Sequence, residues 1–222
     1  MSGPCESYCP NLSNFSLAAS RVGHLRFTFN HTGNFTPGVV VQATRAYVLG
    51  SSDPTNLTFP IGDVQIDLES REVSGRNPER QDHIIGPSNA SSFAGYFVAR
   101  FDQPFASFGT ASNATLFANE SQRTDKQVSA FVNFAADTKV VNMRVGVSFI
   151  SIDQARRNLD NEIPNGQSLE STAKATRSLW AEKLDRIQVE GGSTSNKTTF
   201  YTAFFHSLQV CHPFPAPVTP EC

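Results

Sequence analysis

From His24 to Ile150 apolar and polar residues alternate with a period of two, broken by turn clusters, and this pattern limits what the chain can become more than any other feature. A period of two places successive side chains on opposite faces of an extended strand, so each segment offers one apolar face to a core and one polar face outward. Leu25, Phe27 and Phe29 share one such face; Val64, Ile66 and Leu68 share another; Val128, Ala130, Val132 and Phe134 repeat the arrangement. The longest run sets Val141, Met143, Val145, Val147 and Phe149 against Asn142, Arg144, Gly146 and Ser148, which predicts a strand central to the fold. Residues 38–50 and 94–102 are further strand candidates, while 51–55 and 86–92 carry the Gly, Pro, Asn and Ser of turns. The 18 phenylalanines supply bulk for strand faces. The expectation is a mainly β fold, an antiparallel β-sandwich of roughly eight or more strands.

At Ser151 the period changes. Ser151 and Gln154 are spaced as a capping box, and Ile152, Ala155 and Leu159 fall at helical spacing before Pro164. A second helix is predicted from about Ser168, with Leu169, Ala173, Thr176, Trp180, Leu184 and Ile187 on one stripe that would cover the sandwich. Gly191 and Gly192 break the chain, after which Asn196 is expected to cap a third helix carrying Phe200, Ala203, Phe204 and Leu208. Tyr201 and Phe205 widen that stripe into an apolar surface expected to lack a cover. Pro213, Pro215, Pro217 and Pro220 forbid further helix. The predicted organisation is an irregular segment 1–20, a sandwich 21–151, a helical linker 152–192, a single helix 193–209 and an irregular tail 210–222.

Charge and composition exclude several partners. Lys plus Arg number 18 against 20 Asp plus Glu, which leaves no basic footprint for nucleic acid or for an anionic membrane. No apolar run reaches the roughly 20 residues that span a bilayer, and the first residues carry no signal-peptide pattern, so the N-terminus is expected to be incomplete. Asn11, Asn14, Asn30, Asn34, Asn56, Asn89, Asn113, Asn119 and Asn196 each begin Asn-x-Ser/Thr without an intervening proline. With Ser and Thr at roughly a fifth of the chain, chance would place about three, so the parent protein is expected to be secreted and glycosylated at these positions. The four cysteines form two terminal pairs, Cys5 with Cys9 and Cys211 with Cys222, and none stands at Cys-x-x-Cys spacing. They allow three pairings, and their spacing speaks against a zinc or redox site.

The densest charged segment, Arg71 to His83, lies between two strands around Asn77-Pro78. Arg80 and Asp82 within it are the candidate carbohydrate contacts, because loops on a rigid sandwich commonly carry binding residues; the alternative is a solvated loop held by its own ion pairs. Asp63, Asp67 and Glu69 share a strand face opposite Val64, Ile66 and Leu68, which reads as an exposed polar face rather than as a pair of glycosidase carboxylates. His206 stands beside Phe204 and Phe205 with no second ligand at metal-binding spacing. No nucleophile elbow, phosphate loop or dinucleotide fingerprint is present.

Three blocks, Met143 to Leu159, Trp180 to Gly192 and Lys197 to Leu208, resemble family-92 glycoside hydrolases in order and spacing. The segments Gly75 to Asp82 and Gly95 to Asp102 are similar to fungal members. The resemblance implies an N-terminal sandwich, a helical linker and a catalytic barrel of paired helices, with residues 193–209 as the first helix of that barrel, which is truncated here. It also implies a calcium-dependent, inverting exo-α-mannosidase acting on mannose-containing glycans. In that family the acid, base and Ca2+ ligands come mainly from the barrel, so no catalytic or metal-binding residue is carried over to this chain, and the missing helical barrel is its expected partner. The alternatives are a stand-alone carbohydrate-binding sandwich or a non-functional truncated product.

Overall fold

A computed structural model describes residues 12–18, 20–30, 36–45, 47–48, 57–78 and 93–208. The chain divides into two compact units, one running to Thr172 and the other starting at Ala173.

The first unit is an antiparallel β-sandwich. Its larger sheet has seven strands: β1 (Leu12–Ala18), β2 (Val22–Phe29), β6 (Ile61–Asp67), β7 (Glu72–Asn77), β8 (Gly95–Phe101), β11 (Gln122–Lys126) and β13 (Val140–Ser148). Their order is β1-β2-β13-β8-β7-β6-β11. Four strands, β3 (Gly38–Gln42), β9 (Ser107–Ser112), β10 (Thr115–Ala118) and β12 (Ser129–Asn133), make the second sheet in the order β10-β9-β12-β3. A two-stranded ribbon of β4 (Tyr47–Val48) and β5 (Leu57–Thr58) completes the set. Leu12–Ala18, within the segment expected to be irregular, pairs along its whole length with β2, because its Leu12, Ser13 and Asn14 meet Phe29, Thr28 and Phe27 in register.

The alternation seen in the sequence puts Phe29, Val64, Ile66, Val73, Ala99, Phe101, Val128, Ala130, Val132, Phe134, Val141 and Met143 into one core between the sheets. Phe101, Phe105 and Phe134 close one part of it with ring centroids 5.4–6.1 Å apart. Two details depart from the expected pattern. Leu68 and Glu69 lie in the turn after β6, not on the strand, and Leu68 is exposed where the pattern had set it beside Val64 and Ile66. At the end of β13 the expected polarity inverts: Val147 and Phe149 are exposed, whereas Gly146 and Ser148 are buried.

The cause of that inversion is α1 (Ile152–Glu162), which lies on the outer face of the seven-stranded sheet. Ser151 caps it as the sequence predicted, its hydroxyl accepting from the Gln154 amide at 3.1 Å. Ala155, Leu159 and Ile163 then form a second small core with Val22 and Val98 on that face. Gly146 sits under the helix so closely that a Cβ there would stand 2.3 Å from the Ala155 carbonyl oxygen and 2.9 Å from Leu159 Cβ. Close approach, not turn geometry, requires this glycine.

α2 (Leu169–Leu184) begins in the first unit and continues into the second. In the second unit α3 (Thr194–Ser207) is capped by Ser193, whose hydroxyl accepts from the Asn196 amide, so Asn196 is inside the helix and not its cap. Trp180 packs on Phe205 with centroids 4.5 Å apart, and the Tyr201 hydroxyl donates to the Ile187 carbonyl at 3.2 Å. The aromatic stripe of α3 is therefore partly covered within its own unit; Phe200, 36% exposed, is its open part. The helix that covers the sandwich is α1, where the sequence pattern had suggested the second helix.

Replacing Gly146 with Ala should cost on the order of 1–3 kcal/mol, the usual penalty for overpacking a close contact. Urea unfolding of the Gly146→Ala chain checks this. A midpoint equal to the parent's would show that α1 is not seated on the strand.

Candidate functional site

The outer face of the large sheet carries polar residues in cross-strand rows. His24 of β2 pairs in register with Arg144 of β13, Arg144 with Arg100 of β8, Arg100 with Glu72 of β7, and Glu72 with Asp67 of β6. Directly opposite residues on one face are the closest neighbours in a sheet, so strand alternation assembles a transverse line of five titratable groups. A second row joins Arg26 to Asn142, which binds both carboxylate oxygens of Asp102 through its amide N–H at 2.8 Å and its side-chain Nδ2 at 2.7 Å.

Glu72 is the anchor of the first row, 3% exposed. Arg100 donates to its Oε1 from Nε at 2.7 Å and from Nη2 at 2.6 Å, while Arg156 of α1 donates to Oε2 at 3.1 Å. Arg100 reaches on to Asp160 of α1 at 2.5 Å and to Asn165 Oδ1 at 3.3 Å. Arg144 donates to the Ile163 carbonyl at 2.6 Å and to the same Asn165 oxygen. Burial works against charge on Arg100, but its hydrogen bonds to Asp160 and Glu72 outweigh that and raise its pKa. Arg144 goes the other way: burial and the neighbouring Arg100 charge push it down. These residues also tie the helix to the sheet, so the row and the seating of α1 are one structure.

His24 is buried, and its Nδ1 lies 3.0 Å from Thr172 Oγ1. That hydroxyl also receives Gln167 Nε2 at 3.0 Å and lies 3.2 Å from the Ser168 carbonyl, an acceptor. With the hydroxyl proton directed to the carbonyl, His24 is the donor at Nδ1. Burial, and then the charges of Arg144 and Arg26, lower the His24 pKa, partly offset by Asp102 and Glu170. Glu170, hydrogen-bonded to Arg26, is held down at about 2.

The row opens onto a groove of about 800 Å³ lined in part by Glu69, Arg71, Arg100, Asp102, Asp160 and Asn165. Its three arginines and three carboxylates balance; Arg100 binds Asp160, while Arg71 and Arg144 donate to backbone carbonyls. Glu72 is buried under two guanidinium groups, which removes it as a proton donor or acceptor for a substrate. Among the described residues no three Asp, Glu, His or Cys side chains gather as a metal site. The chemistry available here is hydrogen bonding and the fastening of a helix.

Of the carboxylates singled out from the sequence, Asp67 belongs to the row and Glu69 lines the groove. Arg80 and Asp82 fall outside the described residues, in the segment that connects Asn77 of β7 to its register partner Gly95 of β8. Asp63 accepts from Arg76 at 2.7 Å, and Asp67 accepts from the Glu69 and Ser70 amides, so both are structural carboxylates. Asn113, Asn119 and Asn30 are exposed at strand ends; Asn196 is exposed in the first turn of α3, and Asn14 lies on β1. Asn11, Asn34, Asn56 and Asn89 lie outside the described residues. The row from His24 to Glu72 was missed because each member, taken alone, is a polar residue on an outward strand position. Three arginines at mid-strand, Arg26, Arg100 and Arg144, were the available signal.

The described residues form a two-sheet sandwich followed by three helices, with a charge row that fastens the first helix to the larger sheet. Residues 16–148 match the glycosyl hydrolase family 92 N-terminal domain, and residues 154–215 match the family 92 catalytic domain. The chain belongs to glycosyl hydrolase family 92, as its N-terminal domain with a short start of the catalytic domain. Among solved structures, the inverting family GH92 mannosidase BT2199 of Bacteroides thetaiotaomicron superposes with a TM-score of 0.71 at 22% identity, over 91% of this chain and 27% of that one. The family GH92 α-mannosidase BT3965 of the same organism, solved in complex with mannoimidazole, gives 0.67 at 15% identity, over 91% and 25%. An uncharacterized secreted glycosidase of Arthroderma benhamiae is 38% identical over 71 residues, 31% of this chain and 9% of its own length. The chain thus spans about a quarter of these solved structures and a tenth of that relative.

Because the folded His24 pKa lies below its ordinary value of 6.5, the unfolded chain takes up this proton first, and stability falls as pH drops through 6.5. Melting temperature measured from pH 7.5 to pH 5 is expected to show this slope, and His24→Gln to flatten it. An equal slope in both chains would place the titration elsewhere.

Proposed function

We propose that this chain is the N-terminal sandwich of a secreted α-mannosidase-like glycoside hydrolase acting on mannose-containing glycans, and that it scaffolds a helical-barrel domain that carries the catalysis. The observation that supports this best is the pair of consecutive family matches, sandwich then catalytic start, in one chain. Two mannosidases and a secreted glycosidase among the similar proteins support this substrate class and this compartment.

In the reaction assigned to the whole enzyme, water attacks the anomeric carbon as the glycosidic C–O bond breaks. A carboxylate takes the proton from the water, and a carboxylic acid gives one to the leaving oxygen. Ca2+ would organise mannose hydroxyls, since it takes six to eight oxygen ligands at about 2.3–2.6 Å. The described residues do not fit such a site: no three Asp, Glu, His or Cys side chains among them gather, and Glu72, Asp63 and Asp67 are held by arginines and backbone amides. No step is therefore routed through calcium on this chain. Arg80 and Asp82 are assigned to sugar contact in the assembled enzyme, and the nine sequon asparagines to glycan attachment during secretion.

The test is an assay of the purified chain with an α-mannoside and with α-mannobiose, with and without added Ca2+. No mannose release is expected, because acid, base and metal act as one unit, and no binding in the micromolar range by calorimetry. Calcium-dependent release above a no-protein control would overturn the division of labour. Micromolar binding by the chain alone would favour the stand-alone carbohydrate-binding reading.

A further inference from the structure

We infer that glycans at Asn113 and Asn119 guard the open edge of β10 against pairing with a second copy of this chain, an inference that rests on the reading of the protein as secreted and glycosylated. β10, Thr-Leu-Phe-Ala, is the last strand of the four-stranded sheet and, among the described residues, pairs on one side only, with β9. Its other side presents unpaired backbone donors and acceptors, the template for edge-to-edge association. The strand carries no charge, no proline and no bulge, and Leu116 is 72% exposed. Phe117, its other large residue, is capped by the Arg123 guanidinium 3.4 Å above the ring centroid, which leaves Leu116 as the open apolar group.

Both ends of this strand carry an acceptor in a suitable conformation. Asn113 (φ 47°) precedes Ala114 (φ 64°) in a two-residue hairpin turn between the paired Ser112 and Thr115, and Asn119 (φ 60°) turns the chain toward β11. Left-handed turn positions suit asparagine, and both side chains are exposed, as are Thr115 and Ser121, the hydroxyl residues that complete the two sequons. Four strand residues at about 3.4 Å each separate the two turns. Bulky, solubilising glycans at both ends would flank the whole edge.

The other sheet edges show the same division. β11, at one end of the large sheet, carries Arg123, Asp125 and Lys126, the charges that commonly protect an edge. β1 and β3, the remaining edges of the two sandwich sheets among the described residues, are uncharged; Asn14 lies on β1, and Asn34 stands four residues before β3. Uncharged edges and sequons coincide.

The test uses the whole chain secreted from a eukaryotic host, with site occupancy read by glycopeptide mass spectrometry and association by light scattering. Thr115→Ala with Ser121→Ala removes both acceptors yet leaves both asparagines in their turns. Its average mass should rise at least twofold over the parent's at equal concentration, with melting temperature showing that the fold is kept. Adding Leu116→Lys, which places a charge on the bare edge, should reverse the rise, whereas Thr32→Ala, which removes the Asn30 acceptor, should not cause one. Parent-like mass in the double variant, an equal rise in Thr32→Ala, or no reversal by Leu116→Lys overturns the inference. Glycan at other sequons with Asn113 and Asn119 empty overturns the inference alone. A parent chain with no glycan at any sequon overturns the secretion reading as well.

Discussion

The contact between Gly146 and the first turns of α1 is the constraint on which the rest of the first unit depends. A Cβ at that position would occupy the space of the Ala155 carbonyl, so only glycine lets the helix reach the sheet. Once the helix is there, Leu159 and Ile163 are buried against Val22 and Val98, and both faces of the sheet are dry at this point. A sheet with two dry faces cannot leave charged outward residues unpaired, since an isolated buried charge costs several kcal/mol. The line His24, Arg144, Arg100, Glu72 answers that demand with a pair between β8 and β7, with Arg156 and Asp160 of α1, with Asn165 beyond it and with Thr172 of α2. Its energetic value lies in specificity as much as in strength: a one-residue slip of any strand would turn its member of the row into the core.

This arrangement also shows where the sandwich ends as a physical object. The family match to the catalytic domain starts at residue 154, inside α1, but the compact unit runs to Thr172. Glu162 of α1 accepts from the Ser20 and Arg21 amides and from Arg21 Nε, Glu170 pairs with Arg26, and Thr172 meets the His24 ring. The sequence that leads into the catalytic region is thus first used to finish the sandwich. The segment from Glu162 to Thr172 is fastened at three points along β2 and its entry.

Much of this was legible in the residues and some was not, for identifiable reasons. The sandwich, the central strand Val140–Ser148 and the Ser151 cap follow from periods and capping chemistry that are local in sequence. The inverted burial of Val147, Phe149, Gly146 and Ser148 did not follow, because alternation states which residues share a face and not which face a helix will cover. Leu12–Ala18, Leu-Ser-Asn-Phe-Ser-Leu-Ala, has no clean period of two, and its pairing with the neighbouring β2 is what makes it a strand. The cap of α3 was misplaced by three residues since Ser193 and Asn196 are both good caps, and hydrogen-bond geometry alone chose the first. Glu72 could not be recognised as a buried anchor because its ligands, Arg100 and Arg156, come from 28 and 84 residues away.

The account stands or falls on α1 being part of the sandwich's cooperative structure rather than a separate linker helix. Native-state hydrogen exchange across the chain addresses this directly, because amides that open only with the global transition share its free energy. The amides of residues 155–162 should exchange as slowly as those of Val141, Met143 and Val145 and slow together as the protein is stabilised. Exchange of α1 orders of magnitude faster than β13, with the sheet still protected, would contradict the account.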